Sequence, residues 1–263
     1  MTTAPTDSAI TETADAVGIR SSALFGLRPY HEEAAVTIYH GDCRQIVPLL
    51  GRFDLLLTDP PYGIGASSGV GKYGVMKWGG SKDKKWDEST PPPWLLEMLL
   101  DCAARHVVWG MNYYTLPPSR NFMVWDKGAG FRDRTFAECE LAWCSWDANA
   151  KVYARDPLAA GDYKVKEHPT QKPLALMQWC IQQAGDVQTI LDPFAGSGTT
   201  GEAAKLMGKK AVLIEREERY CEIAARRLAQ DVLPLDCPNA GTQRPGASVE
   251  TIANPNALPG SLK

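Results

Sequence analysis

Gln188-Thr189-Ile190-Leu191-Asp192-Pro193-Phe194-Ala195-Gly196-Ser197-Gly198-Thr199-Thr200 passes from an apolar run through a glycine-rich turn into the start of a helix. Gln188–Leu191 reads as a buried strand and Thr199–Met207 as a helix closed by Gly208. Between them, Gly196 and Gly198 allow positive φ and let a ligand approach the backbone where the helix begins. The turn is not a Walker loop, because the Lys expected before the Ser/Thr pair is missing, and it does not spell a full GxGxxG fingerprint. The next strand, Lys210–Ile214, runs into Glu215, and a carboxylate one strand–helix–strand step later can hold ribose hydroxyls. The stretch reads as a nucleoside site that needs no pyrophosphate.

Working outward, strand and helix patterns alternate. Ala35–Tyr39, Phe53–Thr58, His106–Trp109, Asn121–Trp125 and Glu138–Cys144 read as strands. Helices are expected from Asp42 to Leu50 and over Pro91–Arg105, Pro173–Ala184 and Glu217–Leu228. This alternation predicts an α/β fold, a mainly parallel sheet with helices on both faces that binds ligands at the carboxyl ends of its strands. Trp109, Trp125, Trp143 and Trp146 fall on or beside strands and read as core.

A second strand end carries chemistry. Phe53–Thr58 runs into Asp59-Pro60-Pro61-Tyr62-Gly63. Two prolines stiffen the turn and remove two amide donors, leaving the carbonyls of Asp59 and Pro60 to accept bonds from something else. With the Asp59 carboxylate and the Tyr62 ring they make a rigid acceptor cluster beside a stacking platform. That suits a flat ligand bearing an exocyclic amino group.

The 263 residues carry 28 Lys and Arg against 31 Asp and Glu, a net charge of −3. The distribution is uneven: residues 64–86 hold Lys72, Lys77, Lys82, Lys84 and Lys85 against Asp83 alone, with Trp78 and Trp86 among them. Such a segment suits a phosphate-rich partner. Seven cysteines without a CxxC pair, and four histidines, support neither a zinc site nor a disulfide framework, so no metal is expected and a reducing cytoplasm is. No apolar run is long enough to span a membrane. Residues 1–30 and 234–263 read as disordered tails around one catalytic domain over 31–233.

Together these motifs resemble the β-class S-adenosylmethionine-dependent DNA amino-methyltransferases of bacteria and phages. Asp59–Gly63 is similar to that family's catalytic motif, and His168-Pro169-Thr170-Gln171-Lys172-Pro173 followed by Asp192–Thr200 to its cofactor-binding pair. The segments around Trp109–Asn112, Asn121–Lys127 and Glu140–Trp143 resemble its central region. The likeness covers about 35–230, and its order, DPPYG before HPTQKP and FxGxG, is highly specific. It implies a Rossmann-like methyltransferase fold of seven strands with permuted motifs, in which the two strand ends are neighbours.

The resemblance further implies methyl transfer from S-adenosylmethionine to the N6 of an adenine flipped out of double-stranded DNA. Asp59 and the Pro60 carbonyl would hold the amino group, Pro61 would stiffen the turn and Tyr62 would stack on the base. Asp192, Phe194, Gly196, Ser197, Gly198 and Thr199 would form the loop around the cofactor, with Glu215 on its ribose. Asp42 would meet its adenine amino group, unless it merely caps the helix after it. Thr170 and Lys172 would also touch cofactor, whereas His168 reads as structural. The lysines of 64–90 would close over DNA phosphates. Asp at the first motif position resembles the adenine enzymes, since cytosine-N4 members more often show Ser there; cytosine-N4 transfer, or a binding module without turnover, are the alternatives. The family's recognition insert is reduced to about 147–167, with Lys151, Arg155, Lys164 and Lys166, which implies a short recognition sequence, low specificity or help from a second subunit in a homodimer.

Overall fold

The computed structural model describes residues 26–65, 87–134, 136–165, 168 and 171–229, with the backbone of 70–71 and 74–75. Lys72, Lys77, Lys82, Lys84, Lys85, Trp78, Trp86, Lys166, Thr170 and both expected tails lie outside the described residues, apart from Gly26–Tyr30.

Among the described residues nine strands form one sheet: β1 (His31–Glu32), β2 (Val36–His40), β3 (Phe53–Thr58), β6 (Ala103–Trp109), β7 (Phe122–Asp126), β8 (Cys139–Cys144), β9 (Lys151–Ala154), β10 (Thr189–Asp192) and β11 (Lys210–Glu215). A two-stranded ribbon, β4 (Val70–Gly71) and β5 (Gly74–Val75), stands apart. The order across the sheet is β1-β2-β11-β10-β3-β6-β8-β7-β9. The run from β2 to β6 is parallel, β8 is antiparallel to both its neighbours, and β9 is parallel to β7.

The helices are α1 (Cys43–Ile46), α2 (Pro93–Leu100), α3 (Leu174–Gln183), α4 (Thr199–Leu206) and α5 (Glu218–Leu228). Strand alternation sorts them onto two faces. Leu55 and Leu57 of β3 and Leu213 of β11 face one core, with Leu176 and Ile181 of α3, Ala204 of α4 and Leu228 of α5. Leu56 of β3 and Val212 of β11 face the other, with Ile46 of α1 and Leu95 and Leu99 of α2. Each such buried Leu contributes roughly 1.5–3 kcal/mol. Trp109, Trp125 and Trp143 are buried as expected, and Trp146 packs partly against the first core.

Three expectations need correction. The sheet has nine strands where seven were expected: β1 is a two-residue edge, and β9 lies inside the expected recognition segment, where Lys151–Ala154 pairs with Met123–Asp126. Edges this short leave little pattern to read. The expected helix over Pro91–Arg105 stops at Leu100, and β6 begins at Ala103, because Ala103 and Arg105 pair with Phe53 and Leu55 of β3. The helix after Asp42 is only one turn, followed by a 3-10 turn at Val47–Leu49 that contains Pro48.

The sheet order positions the site. β3 and β10 are far apart in sequence and adjacent in space, Leu56 pairing with Leu191. Both strands end on the same edge of the sheet. Thr58, last residue of β3, donates its hydroxyl to Asp192 Oδ1 at 2.9 Å, across 134 residues of chain.

Candidate active site

The turn after β3 is held from outside. Asp87 accepts the Gly63 amide at 2.8 Å on Oδ1 and the Gly65 amide at 3.0 Å on its carbonyl, fixing the chain as it leaves the motif. The Tyr114 hydroxyl donates to the carbonyls of Pro60 at 2.8 Å and Pro61 at 3.1 Å. The Pro60 carbonyl is thus engaged, with a second lone pair left for another donor. Tyr62 lies against Gly110, whose φ is +78° and whose place no larger residue fits: a Cβ there would stand 2.2 Å from the ring. The Tyr62 ring, expected to stack on a base, stacks here on Tyr113 with centroids 4.7 Å apart and planes 13° from parallel. Its hydroxyl donates to Asp59 Oδ1 at 2.5 Å.

Beneath the motif runs a chain of buried charges. The Lys172 ammonium contacts Asp59 Oδ2 and lies 3.0 Å from Glu140 Oε2, and Lys127 lies 2.6 Å from Glu140 Oε1. Lys172 also donates to the Tyr62 hydroxyl at 3.2 Å and is only 6% exposed. Two ammonium groups thus balance two carboxylates. Burial raises the Asp59 carboxyl above the usual range, Lys172 opposing and Glu140 adding to the rise. Burial also pushes Glu140 up, but Lys172 and Lys127 together outweigh it and hold that carboxyl at about 2. The Tyr62 phenol is raised by burial and by Asp59, so it stays protonated. Lys172, expected at the cofactor, pairs its amine with Asp59 and Glu140, the partners a buried ammonium needs.

The loop after β10 is built differently. Asp192 accepts from Thr58, from the Thr200 hydroxyl at 2.6 Å and from the Phe194 amide at 3.1 Å. Burial raises its carboxyl to about 6. Gly198 caps α4 at φ +79°, and a Cβ there would stand 2.7 Å from the Ala224 Cβ. Glu215 accepts the amides of Gly196 and Glu217, each at 2.8 Å, and burial raises its carboxyl. Ser197 donates to Gln171 at 3.0 Å, joining the HPTQKP stretch to the loop, while Arg227 donates to the Ser197 carbonyl at 3.1 Å and the Thr199 hydroxyl at 3.0 Å. His168 packs edge-on to Tyr220. Asp42 caps α1 through the Arg44 amide at 2.9 Å and also holds the Arg44 guanidinium, whose hydrogen bonds keep its carboxyl below the usual range.

A cavity of about 290 Å³ joins these parts. It is lined by Asp42 and Glu215 on the β2–β11 side, by Phe194, Gly196, Ser197 and Thr199 in the middle, and by Asp59, Pro61 and Lys172 on the β3 side. Among the described residues no cluster of His, Cys, Asp and Glu could hold a metal ion. Of the expected recognition segment, Arg155 is paired with Asp162 at 2.8 Å, and Lys151 and Lys164 are exposed. Sequence reasoning missed Glu140, Lys127, Tyr114, Asp87 and Arg227. Only the likeness of Trp109–Asn112, Asn121–Lys127 and Glu140–Trp143 to a family's central region pointed near three of them.

Residues 120–226 match a family model described as DNA methylase. The chain is 30% identical over 146 residues to the type II methyltransferase M2.MboI of Moraxella bovis, covering 54% of this chain and 47% of that protein's length. It is 25% identical over 277 positions to the type II methyltransferase M.ScaI of Streptomyces caespitosus, covering 79% of this chain and 86% of the relative. The solved PvuII DNA methyltransferase, cytosine-N4-specific, superposes with a TM-score of 0.53 at 15% identity, covering 80% of this chain and 92% of that one, which identifies the fold as the Rossmann-like fold of that methyltransferase.

Proposed function

We propose that this chain, a relative of the DNA amino-methyltransferases of restriction–modification systems, methylates the exocyclic N6 of an adenine in double-stranded DNA, with S-adenosylmethionine as donor. The observation that carries the reading is the meeting of β3 and β10. The acceptor cluster at Asp59 and the glycine loop at Asp192–Thr199 open into one cavity, linked by the Thr58–Asp192 bond.

The residues present fit such a donor. Gly196 lines the cavity at φ +52°, where an added Cβ would meet the His168 ring at 3.5 Å, and two carboxylates, Asp42 and Glu215, line the far side. Glu215 has lone pairs left for ribose hydroxyls after taking two amides, and Asp42 faces the same space. Bound there, S-adenosylmethionine supplies an electrophilic methyl on a sulfonium. On the β3 side, Asp59 and the Pro60 carbonyl accept the two protons of the target amino group. That favours a tetrahedral nitrogen with a localised lone pair, so positioning and local electrostatics supply most of the catalysis. No strong base is needed beforehand. As the N–C bond formed, the methyl–sulfur bond would break and leave a neutral thioether; the nitrogen would gain the positive charge, and its proton would pass to Asp59 or to water. A base inside a duplex cannot reach this turn and has to be flipped out, at a cost of about a few kcal/mol.

Asp at position 59 favours adenine over cytosine. The test is to incubate the full chain with unmethylated genomic DNA and S-adenosylmethionine labelled in the methyl, then digest to nucleosides. Label in N6-methyl-2′-deoxyadenosine is expected. Label in N4-methylcytosine would correct the base, and no label in DNA would overturn the reading.

A further inference from the structure

The DPPY turn and the glycine loop account for donor and acceptor, but they leave unexplained why two lysines and a glutamate are buried behind the acceptor. Lys127 stands at the end of β7, Glu140 on β8 and Lys172 just before α3, three elements from separate parts of the chain converging behind one carboxylate. Buried charges are costly unless paired, and an all-apolar filling would be as stable or more so. The ion pairs among the described residues are also directional: Lys127 pairs with Glu140, Glu140 with both lysines, and Lys172 with Asp59 as well.

We propose that Lys172 is a positioning residue that keeps Asp59 ionised and aimed at the target amino group, and that Glu140, neutralised on its other oxygen by Lys127, sets how strongly Lys172 does so. Asp59 can accept a proton from the amino group only as a carboxylate, and burial works against that form. Lys172 opposes burial from one side, and its cation also lies 5.5 Å from the centre of the Tyr62 ring, so the turn keeps its shape around the pair. Other ionisable groups facing the pair leave this logic intact. Tyr62 and Tyr114 are raised by burial and by Asp59, and Tyr163 by burial and by Glu140, so all three stay neutral below pH 9. Burial raises the Asp192 carboxyl as well, to about 6, so that group is to be separated experimentally.

The kinetic part of this inference rests on the proposed amino-methyl transfer; the titration part does not. The charge chain predicts opposite signs for two shape-preserving changes. Lys172→Met removes the counter-charge, so the acid limb of the kcat–pH profile should move up by about 1–3 pH units. Glu140→Gln removes a like charge from beside Asp59 and leaves Lys172 to it alone, so the limb should move down. The double variant restores charge balance and should return the limb towards the wild-type position. A packing role would lower kcat in all three with the limb unmoved, which would overturn the proposal.

The second readout needs neither DNA nor turnover. In the full chain labelled with 13C at aspartate carboxyls, the Asp59 signal, assigned through Asp59→Asn and separated from Asp192 through Asp192→Asn, should titrate higher in Lys172→Met and lower in Glu140→Gln. Shifts of the same sign, or none, would overturn the inference even if the protein methylates DNA. Opposite shifts in a chain that labels no DNA base would uphold it and reject the proposed function. Should Lys172→Met fail to fold, Glu140→Gln with a limb or signal that does not fall would suffice to sink it.

Discussion

The two ends of the cavity are built by opposite means. At the β10 end, Glu215 holds backbone amides, Gly198 meets Ala224 at a distance only glycine tolerates, and Asp192 is satisfied by two hydroxyls and one amide. No cation is paired with Asp192 or Glu215 in the described contacts. At the β3 end, four formal charges from four distant segments lock together behind a turn of two prolines. A loop that wraps a ligand needs shape, which local backbone conformation supplies. An acceptor that must stay ionised while buried needs counter-charge, which only tertiary structure brings.

That contrast breaks most visibly in the activities of single variants. Asp59→Ala should lower turnover on DNA by about 100- to 1000-fold or more, since it removes the group that receives the amino proton. Binding of S-adenosylmethionine, measured by calorimetry, should stay within a few-fold. An equal loss of cofactor affinity would mean that the two ends do not act separately.

The pH dependence of stability should also separate them. The Asp192 carboxyl is raised by burial to about 6 from its ordinary 3.8. Its share of stability is therefore complete below pH 3.8 and is lost as pH rises through 6, up to about 3 kcal/mol in all. Glu140 is held at about 2 from an ordinary 4.5, so its share is present above pH 4.5 and is lost as pH falls through 2. Urea unfolding between pH 4 and 7 should show Asp192→Asn gaining on the wild type as pH rises, because the amide keeps the shape and drops the charge. Glu140→Gln should lose most at the neutral end. Parallel pH curves for the two variants would erase the distinction.

Gly198→Ala tests the backbone half of the contrast. At φ +79°, with the added carbon 2.7 Å from Ala224, it should cost about 2 kcal/mol in urea unfolding and weaken cofactor binding along with it. A variant with wild-type stability and affinity would show that the loop yields more easily than its contacts indicate.

Legibility in the sequence follows the same division. Asp192–Thr200 could be read because strand, glycine turn and helix start are contiguous, and Phe53–Thr58 because both of its faces are buried and its pattern is an unbroken apolar run. The helix over Pro91–Arg105 overran because Ala103 is as compatible with a helix as with a strand, and only its pairing with Phe53 decides. Lys172 was visible only in part: a lysine beside a cofactor motif reads as a ligand contact, and nothing local tells that its ammonium also pairs with Asp59 and Glu140. Lys127 and Glu140 look like any charged residues near a strand end, and their burial is a property of the sheet order β3-β6-β8-β7. Arg155, one of the cations of the short recognition segment, is turned onto Asp162 seven residues later.

The smallest expected effect lies where the two ways of building meet. Tyr114 is a side chain, but its hydroxyl acts on backbone, donating to the Pro60 and Pro61 carbonyls at 2.8 and 3.1 Å. Tyr114→Phe keeps the ring and its packing and removes only that donor. Two carbonyls that cannot be satisfied by neighbouring amides, one of them in a buried proline, then lose a partner, which should cost about 1 kcal/mol in unfolding experiments. Turnover should fall by less than about tenfold, because Pro60 still presents its carbonyl and Lys172 still holds Asp59. A rise in turnover would carry a different lesson: the tyrosine would be competing with the target amino group for the Pro60 oxygen, and the turn would be held partly closed until DNA displaces it. Loss of turnover as large as in Asp59→Ala would place the hydroxyl itself at the reacting nitrogen and move the boundary between the two ends by one residue shell.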